Sequence, residues 1–344
     1  MCSCRQNSCR CEPKKKCGTK FSFDVIGDTG YSTDYEQELR MLINNVINKE
    51  CVDFVVHIGD MQTDPRGLPG LPTASIALNT PEWIVKRNLL WEINKPFIVT
   101  PGDNDWADTI QAPTSNPNPL ATLQSVREVF YNNGTNVPFK FPVVSQPEEF
   151  PAFSAYVENR RWVRKGVLFT TFHSIAGREA NGLTSFNSAV AAESLVRIQA
   201  AVAWINRSFD VAIAEGYKAM VFLSQAVIDW TNPLPGFVEI VNAMTTRVNQ
   251  NQNIKVLYIF GDNHQFNVQK PMRGAQVSQS LTPLFRQYEN FTAVEVPGAP
   301  RGAIGGVGMT NIAGGTARVK FTVDVDSRDI FSISLDTHTQ VFNS

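Results

Sequence analysis

The chain has 344 residues, 43% hydrophobic and 18% charged, with a net charge of −1; such a composition buries a core, which excludes a disordered polymer. Its longest uninterrupted apolar runs are five or six residues, such as 256–260, far short of the ~18–20 that span a bilayer. The near-neutral balance gives no global attraction to nucleic acid or to an anionic membrane, and the length allows two domains or one large α/β unit.

The first twenty residues carry six basic side chains against one acidic one, and five of the six cysteines: Cys2, Cys4, Cys9, Cys11 and Cys17. A secreted disulfide fold spreads its cysteines through the chain, so the body is not a disulfide scaffold. The C-x-C pairs can chelate a soft metal, yet they lack the C-x₂-C knuckles of a structural zinc site. Residues 1–19 read as a flexible, basic, Cys-rich tail with redox-sensitive thiols; a metal-binding or cross-linked tail is the other reading. No apolar segment follows the N-terminal charges, so no secretory leader is expected and a cytoplasmic location is favoured. The N-x-S/T sequons at Asn133, Asn206 and Asn290 are then not expected to carry glycans.

From Phe21 onward the pattern is α/β. Phe21, Phe23 and Val25 alternate with Ser22 and Asp24, predicting a strand that ends at Gly27-Asp28. Residues 34–50 place Leu39, Leu42, Ile43, Val46 and Ile47 at helical spacing. Apolar runs at 52–58, 96–100, 166–172, 218–223 and 254–260 predict five more strands. A long amphipathic helix over about 187–216 sets Leu195, Ile198, Val202, Ile205 and Phe209 on one face. Two connections, 61–81 and 111–151, are rich in proline and read as functional rims or insertions. The six glycines of 302–315 predict a mobile loop before two last strands at 317–325 and 330–335. With no internal repeat and no clear linker, residues 20–344 read as one large domain.

The informative regularity lies at the ends of the first six strands. They run into Asp28, Gly59-Asp60, Gly102-Asp103-Asn104-Asp105-Trp106, His173, Ser224-Gln225 and Gly261-Asp262-Asn263-His264. In open α/β sheets ligands bind beyond the carboxyl ends of the strands, and oxygen and imidazole groups gathered there have the composition of a metal cluster. Singly, each has a plainer reading: Asp-x-Gly after a strand turns the chain, and His57, inside an apolar run, reads as a packed core histidine. Their joint occurrence at successive strand ends favours a site.

In this order the residues resemble the calcineurin-like metallophosphoesterases, which include the purple acid phosphatases. That family's pattern is an Asp motif, Gly-Asp, Gly-Asn-His-Asp/Glu, a lone His and Gly-His-x-His. The chain is most similar to a divergent subgroup with Gly-Asp-Asn-Asp/Glu-Trp in the third block and Gly-Asp-x-His in the last, over about residues 20–335. The resemblance implies a four-layer α-β-β-α sandwich of two mixed sheets flanked by helices. It implies two divalent metal ions, with Asp28 and His264 on the first, Asp60 bridging, and Asn104 or Asp103, Gln225 and Asp262 around the second. It further implies metal-dependent hydrolysis of a phosphate mono- or diester, the ions clamping a phosphoryl oxygen and acidifying a water. A carboxylate such as Asp60 has two oxygens to share between ions.

The departures from that pattern are specific. Gln225 stands for the lone His, Asp262 for the first His of the last pair, Gly30 for the His of an Asp-x-His motif, and Thr63 for a tyrosine of the purple phosphatases. The third block is shifted by one and lacks its catalytic His, and loss of a leaving-group acid handicaps hydrolysis by about 10²–10⁴-fold. His173 is the candidate replacement acid, with Asn104 and Asp105 completing the expected catalytic set. An oxygen-rich ligand set favours Mn²⁺ or Mg²⁺, with Fe or Zn as the other options.

The expected partner is a phosphoester small molecule or a phosphoprotein; Trp83, Trp91, Trp106, Arg66 and Arg87 near the rims are compatible with a nucleotide, a lipid headgroup or a phosphoprotein, while the plainer reading of each is packing or surface. The alternative is a catalytically weak or inactive metal- or ligand-binding protein of the same fold, with a structural or interaction role. A Rossmann or P-loop nucleotide binder is excluded by the absence of G-x-G-x-x-G and G-x₄-G-K-[ST], and a Ser–His–Asp hydrolase by the absence of G-x-S-x-G. Because residues 1–18 show no periodic apolar pattern, their deletion is expected to leave folding and any hydrolysis intact. Thermal unfolding of the truncated chain checks this, and a large fall in melting temperature would refute it.

Overall fold

The computed structural model describes residues 20–31, 33–62, 80–111, 118–131, 142–176, 188–271, 288–298 and 317–336. The Cys-rich tail, the glycine-rich segment 302–315, Thr63, Arg66 and Asn133 lie outside them. In chain order the elements are β1 (Phe21–Ile26), α1 (Thr33–Leu42) running into a π-helical turn (Ile43–Ile47), β2 (Val55–His57), α2 (Thr80–Leu90), β3 (Phe97–Val99) and α3 (Pro119–Tyr131). Then come β4 (Val144–Ser145), α4 (Gln146–Glu149), β5 (Arg160–Arg164), β6 (Val167–Thr171), α5 (Ser188–Glu215), β7 (Ala219–Leu223) and α6 (Val238–Gln250). The chain closes with β8 (Lys255–Phe260), β9 (Asn267–Gln269), β10 (Phe291–Glu295), β11 (Arg318–Val323) and β12 (Phe331–Asp336). Among the described residues no helix is long and apolar enough to cross a membrane.

Two mixed sheets result, in the orders β12-β11-β1-β2-β3 and β4-β5-β6-β7-β8-β10-β9. β1, β2 and β3 are parallel, as are β6, β7, β8 and β10, while β11, β12, β4, β5 and β9 pair antiparallel at the margins. Strand alternation assigns each side chain to a layer. Phe23, Val25, Val56, Phe169, Val221, Leu257 and Ile259 fill the space between the sheets. Met220, Phe222, Val256 and Tyr258 face α5 and α6, and Ile26, Val55, Phe97 and Val99 face α1, α2 and α3. This is the four-layer α-β-β-α sandwich that the resemblance implies. At its centre Phe23 stacks on Phe321 and Phe54 at 4.9 and 5.0 Å, and Phe169 of the second sheet meets Phe23 and Phe54 edge-on at 5.2 and 5.1 Å. Such pairs contribute about 0.5–1.5 kcal/mol each beyond their buried area.

Two sequence expectations change, and the packing reading of the tryptophans holds. The stretch 111–151 contains a full helix, α3, opened by Pro119, where a missing N–H costs nothing. On α5, Ile198, Ile205 and Phe209 are buried, but Leu195 is 52% exposed, and Ala201, Trp204 and Ala212 complete the buried stripe instead. Trp83 and Trp106 are wholly buried, and Arg87 lies over the Trp91 ring at 4.0 Å.

The outer face of the first sheet is tied by a buried charge cluster. Arg318 of β11 reaches Asp24 Oδ2 and Asp336 Oδ2, each at 2.5 Å, and also pairs with Glu50. Arg318 and Asp24 are fully buried, and burial holds the Asp24 carboxyl at about 6 despite the guanidinium beside it. Removing one partner of such a pair strands the other. Arg318→Ala is therefore expected to cost about 3–5 kcal/mol, and Asp24→Leu with Arg318→Met to recover most of it, as read by urea unfolding.

Candidate active site at the carboxyl ends of the strands

The parallel strands of both sheets end along one crevice. β1 leads to Asp28, β2 to Asp60, β3 to 103–105, β6 to His173, β7 to Gln225 and β8 to Asp262 and His264. Asp28, Asp60, Asp262 and His264 all adopt left-handed backbone, with φ of 52, 56, 77 and 62°. For a residue with a Cβ this costs roughly 1–2 kcal/mol, and aspartate tolerates it better than most. The turns also need glycine beside the carboxylates: a Cβ on Gly102 would lie 1.9 Å from Asp60 Oδ1, and one on Gly261 2.4 Å from Asp28 Oδ2.

Asp60, Asp103 and Asp262 bring carboxylate oxygens within 4.8 Å of one another. Burial, and then the neighbouring carboxylate charges, push Asp60 and Asp103 well above the usual carboxylate range. Gln225, also fully buried, points its amide nitrogen into this trio, 3.2 Å from Asp60 Oδ2, 2.9 Å from Asp103 Oδ1 and 3.2 Å from Asp262 Oδ1. Its carbonyl Oε1 accepts the Ala176 N–H at 2.7 Å. The expectation that Gln225 offers oxygen to a metal is thus corrected: its oxygen is committed to the backbone and its N–H groups face the carboxylates.

Beside the trio, Asp28 Oδ1 lies 3.2 Å from His264 Nε2, and Asp28 Oδ2 accepts the Asp262 N–H at 3.2 Å. The Tyr31 hydroxyl bridges this pair, 3.3 Å from Asp28 Oδ1 and 3.1 Å from His264 Nε2. Tyr31 had no assigned role in the sequence; its only signal was its place in the strand-end turn three residues after Asp28.

Asn104 joins through its backbone N–H, 3.1 Å from Asp60 Oδ1 and 3.0 Å from Asp103 Oδ1, while its carbonyl accepts Gln62 Nε2 at 2.6 Å. Asp105 faces the backbone. Its Oδ2 accepts Asp60 N–H at 3.0 Å and Gly102 N–H at 2.8 Å, and its Oδ1 accepts Met61 N–H at 2.7 Å. Burial still pushes its carboxyl up to about 7 against those three donors. This arrangement makes Asp105 a brace that clips the β2 and β3 loops together, in place of the catalytic role expected of it.

His173 is likewise spoken for. Nδ1 lies 2.7 Å from Glu158 Oε1, and Nε2 accepts the Trp106 indole N–H at 3.2 Å. Glu158 is held in turn by Arg127 through bonds of 2.6 and 3.1 Å, and its carboxyl sits well below the usual range under the Arg127 charge despite burial. Both ring nitrogens are engaged in a fully buried position, and burial lowers the imidazole pKa. His173 therefore has no free nitrogen to protonate a leaving group, which corrects its expected acid role. Glu158 and Arg127 carry no signal in the sequence because Glu158 meets His173, and Arg127 meets Glu158, only through the fold.

The donor set fits divalent cations in part. The carboxylate trio offers oxygen alone, which suits a hard ion, and Asp28 with His264 offers mixed oxygen and nitrogen; the Gln225 amide does not serve as a ligand in this orientation.

No protein-family model and no curated protein matches the chain. Among solved structures it is similar to PhoD, with a TM-score of 0.50 and 12% identity over 92% of this chain and 68% of that one. GAP50, described as the anchor in the inner membrane complex of Plasmodium, gives 0.43 and 13% over 92% of this chain and 89% of that one. A 5′-nucleotidase from Candida albicans gives 0.42 and 12% over 94% and 52%. The likeness is one of architecture: the chain has the metallophosphoesterase fold, and its acidic cluster is compatible with metal binding.

His57 lies under the same loops as a packed core histidine. Nδ1 accepts the Gly59 N–H at 3.1 Å, so Nε2 carries the proton toward Thr29 Oγ1 at 2.8 Å. Burial holds its pKa at about 4, against about 6.5 in an unfolded chain. Between those values the unfolded chain binds a proton that the folded chain refuses. The stability due to His57 is therefore intact above pH 6.5 and is lost as the pH falls toward 4. His57→Gln is expected to shrink the loss of stability between pH 7 and pH 5 by about 2 kcal/mol, measured by urea unfolding at the two pH values.

Proposed function

We propose that this chain is a metal-dependent phosphoesterase that hydrolyses a phosphate mono- or diester, with Mn²⁺ or Mg²⁺ at the strand-end carboxylates. The observation that carries this reading is the convergence of Asp60, Asp103 and Asp262 within 4.8 Å beside the Asp28–His264 pair. The trio would hold one ion; Asp28, His264 and a shared Asp60 oxygen would hold another. When bound, such ions supply Lewis-acid stabilisation of phosphoryl charge and lower the pKa of a water.

The rest falls to the chain. Asp105 fixes the Asp60 and Gly102 backbones, so that Asp60 and Asp103 keep their separation. Tyr31 and Asp28 orient the His264 ring. The Glu158–His173–Trp106 chain of hydrogen bonds anchors the third loop from behind. Of the three histidines among the described residues, His57 and His173 have both nitrogens engaged. Proton delivery to a poor leaving group is then weak, and the chemistry favours esters whose leaving group departs as a stable anion.

That same engagement favours, as a second reading, a protein of this fold that binds a cation or phosphoester and turns it over slowly or not at all. Chelator-treated protein resupplied with Mn²⁺ and offered an aryl phosphate mono- or diester separates the two. Turnover that Asp60→Ala reduces by at least about 10²-fold is expected. Turnover equal in wild type and folded Asp60→Ala would overturn the enzyme reading.

A further inference from the structure

The Gln225 amide is oriented by its surroundings. Ala176 N–H needs an acceptor and finds Gln225 Oε1 at 2.7 Å; turning the amide over would set N–H against N–H in a fully buried place. The backbone on either side is held as well, with Gly261 N–H on Gln225 O at 3.2 Å, Ala226 N–H on Ser174 O at 3.2 Å and Ser224 Oγ on Ser174 O at 2.8 Å. The amide nitrogen therefore stays where three carboxylate oxygens meet, at 2.9–3.2 Å from each. Two N–H groups serve three carboxylate oxygens, so the amide by itself satisfies the trio incompletely.

We propose that Gln225 sets the cation affinity of this site: its NH₂ group occupies the centre of the Asp60–Asp103–Asp262 trio and competes with the ion. The trio thereby keeps its shape without a cation and takes one up weakly and reversibly. This rests on the reading of the trio as a cation site. A divalent ion that enters must displace an amide nitrogen that its two N–H groups hold against three carboxylate oxygens, which costs affinity without altering the carboxylate ligands. Gln225→Glu preserves the side-chain shape and an oxygen for Ala176 N–H, but replaces the competing donor by a fourth carboxylate ligand.

The test is Mn²⁺ titration of the chelator-treated full chain, followed by calorimetry and by the electron paramagnetic resonance of free Mn²⁺, with melting temperature read in parallel. Gln225→Glu is expected to bind Mn²⁺ at least about tenfold more tightly than wild type. It should melt at a lower temperature than wild type without metal, and gain more on adding Mn²⁺. Gln225→Met, which keeps the volume and removes the donor, is expected to show the larger Mn²⁺-induced gain even if Gln225→Glu fails to fold. Folded variants with affinity and metal-induced gain equal to or below those of wild type would overturn the role of Gln225 and leave the cation site standing. An absence of Mn²⁺ binding in wild type and in both variants would overturn the cation site itself, and this inference with it.

Discussion

Three carboxylates closing to within 4.8 Å at the buried end of a sheet repel one another, and the surrounding fold is arranged to hold them there. Each loop that carries one is fastened by hydrogen bonds from elsewhere. Asp105 gathers N–H groups from both the β2 and β3 turns, Asp28 accepts the Asp262 N–H, and Asn104 N–H reaches Asp60 and Asp103. Donors from the backbone are fixed in place by the strands, so they hold buried anions with less lost entropy than long basic side chains would. The left-handed turns at Asp28, Asp60 and Asp262 are the conformational cost of this arrangement.

The position of the site is set by the sheets. Parallel strands send their carboxyl ends to one side, and the aromatic core between the layers, built on Phe23, Phe54, Phe169 and Phe321, locks the two sheets in register. Loops from β1, β2 and β3 thereby meet loops from β6, β7 and β8 across the crevice. Gln225 from one sheet touching Asp60 and Asp103 from the other is the direct consequence. A shift of one sheet against the other would separate those atoms.

Much of this was legible in the chain. Alternation in Phe21–Ile26 and the apolar runs of β6, β7 and β8 located the strands, and acidic residues that follow strands in the sequence, Asp60, Asp103 and Asp262, gather in the structure. What was not legible is direction and partnership. A sequence shows that Gln225 has both an oxygen and two N–H groups; only Ala176, 49 residues away, decides which faces the carboxylates. It shows that His173 ends a strand, but its pairing with Glu158 and Trp106 depends on β5 and the third loop packing around it. α3 was obscured by the prolines around it, though Pro119 marks its first turn.

Two features of the strand-end residues act together. With a carboxylate at Asp262 the trio offers oxygen alone, a donor set that suits hard cations better than zinc or iron. His173, sealed between Glu158 and Trp106, has both ring nitrogens engaged. On the proposed function, the first feature would favour a hard ion and the second an ester whose leaving group needs no protonation. The two features meet at Trp106: its indole N–H caps His173, and its chain neighbour Asp105 braces the Asp60 turn. The loop after β3 thus ties the buried histidine to the frame that holds the carboxylates.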